Sequence, residues 1–233
     1  MPEDLTLYQA IMLLSLCEEK GTMNGMYVEY ATAGALAAEL LLLGRIQVQE
    51  DNKNRVAVVT ESSTGDALLD EALALIAKSK RPKKLKDWIF KLGGIKDLKH
   101  KVANSLAESG IVSADKEKIL WLFERRVYPE INPIPEQQLR QAMRQLVLDE
   151  NQEVDSRTAI VTALANSAKL LPQVFSKQEL RQHKKRIQQL ERGELVSQAA
   201  KETVQAIQAA IMITVMLPAI TAATTSSTTS SSC

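Results

Sequence analysis

The run Ala206–Met216, AIQAAIMITVM, is apolar on all sides of a helix. A helix of that kind has no face to turn toward water, so other helices have to enclose it. It therefore constrains the rest of the chain to supply helices that pack around a central, C-terminal one. A membrane span is the weaker reading. Even extended from Ala209 to Ala223, the apolar stretch reaches about 15 residues against the ~20 needed, and it carries Thr214 and Pro218. Composition points the same way. Leu and Ala dominate, aromatics are 4%, and nine glycines and seven prolines leave little material for long irregular regions. A chain of 233 residues, 45% hydrophobic and 24% charged, suits a soluble globular protein of one large or two small domains.

Local signals place the other elements. Leu5–Leu16 reads as a helix, with Thr6 and Gln9 at capping-box spacing. Glu18–Tyr27 is a loop marked by Gly21, Asn24 and Gly25, yet it holds Met23, Met26 and Tyr27, which a plain solvent loop would not need. A helix follows over about Val28–Leu43, with Gly44 suited to the position after its end. Ile46 and Val48 alternate, Asp51–Asn54 turn, and Val56 and Val58 alternate again, which predicts a hairpin. Asp66 can cap a helix through Ile76. Lys118–Val127 has strand character and is expected to pair with Ile111–Val112. Tyr128–Pro135, with three prolines, should not be helix interior. Further helices are expected near Glu136–Leu148, Asp155–Leu171, Lys177–Glu191 and Leu195–Leu217. The Ser/Thr-rich segment 219–233 should be disordered. These signals define a mainly α fold with small β-hairpins: one domain over 1–218 and a tail over 219–233.

Charge is distributed unevenly. The formal net charge is only +1, but Lys78–Lys101, KSKRPKKLKDWIFKLGGIKDLKHK, carries ten basic residues against Asp87 and Asp97. A local excess of this kind attracts anions over about a Debye length, roughly 8–10 Å at physiological salt. It can be a solvated face or a binding patch. Gly93 and Gly94 break the first helix here, and a second is expected to begin near Ile95, with Ile95, Leu98, Val102 and Leu106 on one face. On that wheel Lys99 falls about 40° and Lys96 about 100° from Ile95, at the border of the apolar stripe. Two ammonium groups there, near a helix N-terminus, fit the rim of an anion pocket. Lys80, Arg81, Lys83 and Lys84 would support it. Trp88 falls in apolar helical spacing with Leu85, Ile89 and Leu92 and reads as core.

Other chemistry finds no support. His100 and His183 are the only histidines, and neither has a partner at metal-ligand spacing. No nucleophile elbow, P-loop or dinucleotide-binding glycine motif occurs. The pair Asp70–Glu71 reads as surface or capping charge. No catalytic residue, metal or cofactor is expected. Cys17 lies in an apolar run and Cys233 is the last residue. Two cysteines so placed are not the sequence pattern of a disulfide framework, so a reducing compartment is the expected default. The opening MPEDL lacks the basic and apolar regions of a signal peptide.

The order of segments resembles that of the Golgi phosphoprotein 3 family over roughly Leu5–Met216. The matching stretches are LTLYQAIMLLSL, AGALAAELLLLGRIQV, TGDALLDEALALI, KLKDWIFKL, DLKHKVANSLAESGIV, ILWLFERRVYP and DSRTAIVTALANSAKLL, all in the family's order. The resemblance implies a compact helical domain with a central apolar helix. It also implies a peripheral membrane protein that binds phosphatidylinositol 4-phosphate and, in eukaryotic members, cytosolic tails of Golgi glycosyltransferases. The family's lipid pocket uses two basic residues at the positions of Lys96 and Lys99.

Departures from the family pattern are equally specific. An arginine of the family pocket is replaced by Ala33. The tryptophan that enters the bilayer in the eukaryotic members is missing from the loop, where Met23, Met26 and Tyr27 are the nearest substitutes. Where the eukaryotic members carry a basic arm ahead of the first helix, the residues here are MPED. Such a reduced form resembles the family's bacterial branch.

The sequence thus leads to a cytoplasmic, peripheral membrane protein, on the Golgi membrane in a eukaryote. It would bind anionic phospholipid or phosphoinositide on a membrane surface and engage tails of membrane enzymes, with self-association through Lys118–Val127. Two alternatives use the same basic patch: a nucleic-acid-binding module, disfavoured because Trp88 reads as core, and a protein-interaction scaffold.

Overall fold

The computed structural model describes residues 1–2, 4–17, 20–25, 27–49, 55–119, 123–149, 154–196 and 203. In chain order the first elements are α1 (Leu7–Ser15), α2 (Val28–Leu42), the strands β1 (Ile46–Gln49) and β2 (Arg55–Val58), and α3 (Ala67–Ala77). Next come α4 (Leu85–Gly93), α5 (Leu98–Glu108), β3 (Asp115–Ile119) and β4 (Phe123–Val127). The chain continues with α6 (Ile134–Leu148), α7 (Ser156–Ser167), a 3₁₀ turn at Leu171–Gln173, α8 (Lys177–Gln182) and α9 (Lys184–Glu191). The fold is mainly α with two small antiparallel hairpins.

Caps explain where the helices begin. Thr6 accepts a hydrogen bond from the Gln9 backbone, and the Gln9 side chain accepts one from the Thr6 N–H at 3.1 Å, which closes the box expected for α1. Asp66 accepts from the backbone N–H groups of Leu68 and Leu69 and starts α3. Its other oxygen accepts from the Tyr8 hydroxyl, which ties α3 to α1. Asp155 caps α7 in the same way.

The core is a set of helices around α1. Every residue of α1 is buried, and the helix packs against α2, α5, α6 and α7. Ala206–Met216, expected at the centre, and the tail 219–233 lie outside the described residues. Among the described residues α1 is the helix enclosed on every face. No helix among them is long and apolar enough to cross a membrane.

A buried ion pair fixes how α1, α2 and α7 meet. Glu39 of α2 is 4% exposed. Its Oε1 accepts from the Leu7 N–H at 2.6 Å and from Arg157 Nη2 at 2.6 Å, and its Oε2 accepts from Arg157 Nη1 at 3.1 Å. Arg157 Nη2 also donates to the Leu5 carbonyl at 3.3 Å. One carboxylate thereby answers a free N–H at the start of α1 and a fork of donors from α7.

Several boundaries differ from the sequence reading. The partner of β4 is β3, not Ile111–Val112, with Lys118 opposite Glu124 and Asp115 opposite Val127. Val112 makes only an isolated bridge to Glu130. Helix α6 starts at Ile134, so Pro135 lies in its first turn, where a missing N–H costs nothing. Asp155–Leu171 is not one helix: α7 stops at Ser167, and Lys169 turns with φ 59°. Lys177–Glu191 is interrupted at His183, between α8 and α9.

Arg157→Ala leaves the Glu39 charge buried without its partner. It should lower unfolding stability by about 3 kcal/mol, the low end for such a loss because Arg157 is partly exposed. Urea unfolding at neutral pH measures it. The double variant Glu39→Ala, Arg157→Ala should lose much less than the sum of the two singles.

Candidate functional site: a basic turn between two helices

The basic stretch is split by α4. Lys80, Arg81, Lys83 and Lys84 lie before it: Lys84 is its N-cap residue, and the Lys83 carbonyl accepts from the Val56 N–H of the first hairpin at 2.9 Å. Lys96 and Lys99 lie after it. Nine helical residues separate the two groups, about 14 Å along the axis, so the run of lysines is not one pocket.

The second helix starts later than its apolar spacing indicates. Asp97 adopts φ 56°, ψ 26°, a left-handed conformation, and α5 begins only at Leu98. Lys96 therefore sits on a tight turn, exposed, and not on the helix. Ile95 still tucks under that turn and is buried with Leu98, Val102 and Leu106, so the expected stripe holds across the joint. Lys99 lies in the first turn of α5, and no side chain caps that start.

Lys96 and Lys99 face different neighbours. Lys96 lines a cavity of about 350 Å³ with Glu71, Leu75, Trp88, Lys91 and Ile95. Trp88 is 2% exposed, as its spacing indicates, and Lys91 Nζ stands 5.4 Å from the centre of its ring. Glu71 is held by Lys101 at 2.5 Å, which ties α3 to α5. Lys99 instead reaches α2, where its Nζ lies 2.6 Å from Glu29 Oε1. Both side chains of this pair are a little over one-third exposed. Burial is the largest single influence on Glu29 and opposes its ionisation, but the hydrogen bond from Lys99, a backbone hydrogen bond and the Lys99 charge together outweigh it, and the carboxyl is held below the ordinary glutamate range.

Glu29 has no counterpart in the sequence reading, because nothing local relates position 29 to position 99. Nor does that reading include the stacked rings of Tyr30 and Phe90, with centroids 5.9 Å apart and 18° between planes. A signal for Phe90 was present. At 100° per residue it falls about 140° from Leu85, on the polar side of α4.

The loop before α2 is tied to the body of the protein. Met23 bridges to Leu16 and is half-buried against the core. Gly21 has φ 59° and comes so close to the Tyr128–Pro129 backbone that a Cβ there would meet it at 2.1 Å. Tyr27, also left-handed at φ 62°, is half-buried at the start of α2. Met26 lies outside the described residues. Ala33, one turn into α2, is fully buried and offers no cation.

Beside the turn, His100 Nδ1 lies 3.0 Å from the Tyr128 hydroxyl. Burial first, then the Arg126 and Lys99 charges, push the imidazole below its ordinary value, while Asp97 works the other way. Among the described residues no three His, Cys, Asp or Glu side chains stand close enough to hold a metal ion.

Against known proteins, the chain matches the family model of Golgi phosphoprotein 3 (GPP34) over residues 7–207. A match of that extent shows the family: the chain belongs to the Golgi phosphoprotein 3 family. It is similar to vacuolar protein sorting-associated protein 74 of Eremothecium gossypii, 26% identical over 206 residues, which covers 74% of this chain and 62% of that relative. The chain thus spans less than two thirds of the length of the curated relative. A bacterial-type member finds no support in this fungal relative.

Two outcomes are expected from this geometry. Glu29→Gln removes the charge that engages Lys99 and should tighten binding to anionic vesicles, by up to a few-fold, since exposed pairs are worth about 0–1 kcal/mol. Co-sedimentation beside the wild type reads it. His100 should titrate by NMR below the ordinary value near 6.5. Because the folded-state value is depressed, its contribution to stability is complete above the unfolded value and is lost as pH falls through the folded one.

Proposed function

We propose that the protein is a non-catalytic, peripheral membrane protein that binds anionic phospholipid headgroups, phosphatidylinositol 4-phosphate among them, at the turn carrying Lys96 and Lys99. The observation that carries this reading is the turn Gly94–Lys99, where an exposed Lys96 and a half-buried Lys99 stand beside a helix start that no side chain caps, in a chain of the Golgi phosphoprotein 3 family. A headgroup phosphate approaching this turn competes with Glu29 for Lys99 and meets Lys96, with Lys91 close by. Each basic residue near an anionic surface contributes about 1 kcal/mol, so several together hold the protein without deep insertion. With alanine buried at position 33, charge density governs binding more than the position of the phosphate on the ring. Lys80, Arg81, Lys83 and Lys84 add long-range attraction from the other end of α4.

Met23 and Tyr27 lie beside the first turn of α2 and brush the interface, with Met26 as the third loop residue of this reading. In a eukaryotic cell the membrane is that of the Golgi, and the protein there engages the cytosolic tails of membrane enzymes. Self-association through Lys118–Val127 has the least support, because the described strands carry exposed charge pairs, Lys116–Glu124 and Arg125–Glu117. Nucleic acid is not an expected partner.

Co-sedimentation with vesicles tests the reading, using phosphatidylcholine alone, with phosphatidylserine, or with phosphatidylinositol 4-phosphate at matched charge. Lys96→Ala with Lys99→Ala should reduce binding roughly tenfold, about 1.4 kcal/mol, and far more than Lys80→Ala with Lys83→Ala. Equal losses from the two pairs would mean a diffuse patch without a headgroup site. Preference for a nucleic-acid competitor over every vesicle would favour the nucleic-acid module.

A further inference from the structure

We propose that the stacked pair Tyr30–Phe90 is the membrane anchor of this protein, an aromatic contact framed by lysines that enters the interface of an anionic bilayer. The inference rests on the lipid-binding reading above and adds what that reading lacks, an apolar element free to leave the protein surface. Phe90 is 58% exposed, on the outward side of a helix whose opposite side buries Leu85, Trp88, Ile89 and Leu92. Its recorded ring partner is Tyr30 of α2.

The stack is built into the fold. Gly93 lies against the Tyr30 ring, where an added Cβ would come within 3.0 Å of it, so the missing side chain leaves room for the ring beside Phe90. Glu29, the residue before Tyr30, pairs with Lys99. One turn of α2 thus joins the aromatic pair to the headgroup turn.

The surrounding charge selects the partner. Lys86 and Lys91 flank Phe90 on α4, with Lys96 and Lys99 beyond, against Asp87, Asp97 and a Glu29 already paired. Aromatic rings among lysines suit a surface that is negative outside and apolar within, as an anionic bilayer is, where the lysine stems lie along the interface and their ammonium groups reach the phosphates. Met23 and Tyr27 are less suited to insertion, since both are half-buried, and Met23 would have to give up core contacts.

Full-length Phe90→Trp and Phe90→Ser proteins test this on phosphatidylcholine–phosphatidylserine vesicles with and without phosphatidylinositol 4-phosphate. Some of the vesicles carry brominated acyl chains. Phe90→Trp should bind like the wild type and gain fluorescence quenched by the brominated chains, above the background of Trp88 and Trp121. Phe90→Ser should melt normally and bind about tenfold more weakly, in line with losing most of one buried aromatic side chain. If the wild type binds but Phe90→Trp shows no quenching above background, the anchor is wrong, whatever happens to affinity. Capture by an acidic peptide or nucleic acid without such quenching has the same force. If the wild type binds none of these vesicles, the proposed function itself falls, and the anchor with it. An aromatic replaces an aromatic at an exposed position, so the quenching arm does not depend on how Phe90→Ser folds.

Discussion

A carboxylate buried among three helices sets the frame of this protein. Glu39 is buried, and its donors come from the start of α1 and from Arg157 of α7, 118 residues further along the chain. An amide and a guanidinium meet both oxygens only if α1, α2 and α7 stand at one depth and one rotation relative to each other. Apolar packing alone tolerates slippage, because Leu and Ala side chains interdigitate in several registers. Displacing any of the three helices would strand a buried charge, which makes the arrangement specific.

The candidate turn of Lys96 and Lys99 lies at the other end of the same strut. Glu29 and Glu39 are ten residues apart on α2, about 15 Å. With the deep end fixed by Arg157, the first turn of α2 emerges against α4 and α5. There, consecutive residues take separate tasks: Glu29 reaches Lys99 on α5, and Tyr30 lies on Phe90 of α4. One turn further in, Ala33 is already inside the core. The Lys99 ion pair and the aromatic stack are therefore held at adjacent positions by one helix, and a change in how α2 packs would move both.

The elements that were legible in the sequence are those whose causes lie within a few residues. The Thr6–Gln9 box, the Asp66 cap, the Ile46–Val58 hairpin and the buried spacing of Trp88 all follow from local hydrogen bonds or from one periodicity. Misplaced boundaries have local causes that periodicity does not express. The left-handed Asp97 delays α5 by three residues and takes Lys96 off the helix. The stretch Asp115–Ile119 alternates charge with charge, so it shows no apolar period, yet it is the strand that pairs with β4. Pro135 lies in the first turn of α6, outside the helix interior as its ring requires, and α6 begins two residues before the expected Glu136.

The candidate site divides along the same line. The sequence by itself determined that lysines crowd one segment, that Ile95, Leu98, Val102 and Leu106 share a buried side, and that the order of motifs is that of one family. Each of these depends on residue identity and short spacing. Tertiary structure alone decided that Lys99 is already met by Glu29 and that Phe90 rests in the open on Tyr30. Those facts depend on which helix surfaces face each other across long stretches of chain. That is settled when buried charge and core volume are satisfied together, and no window of neighbouring residues contains it.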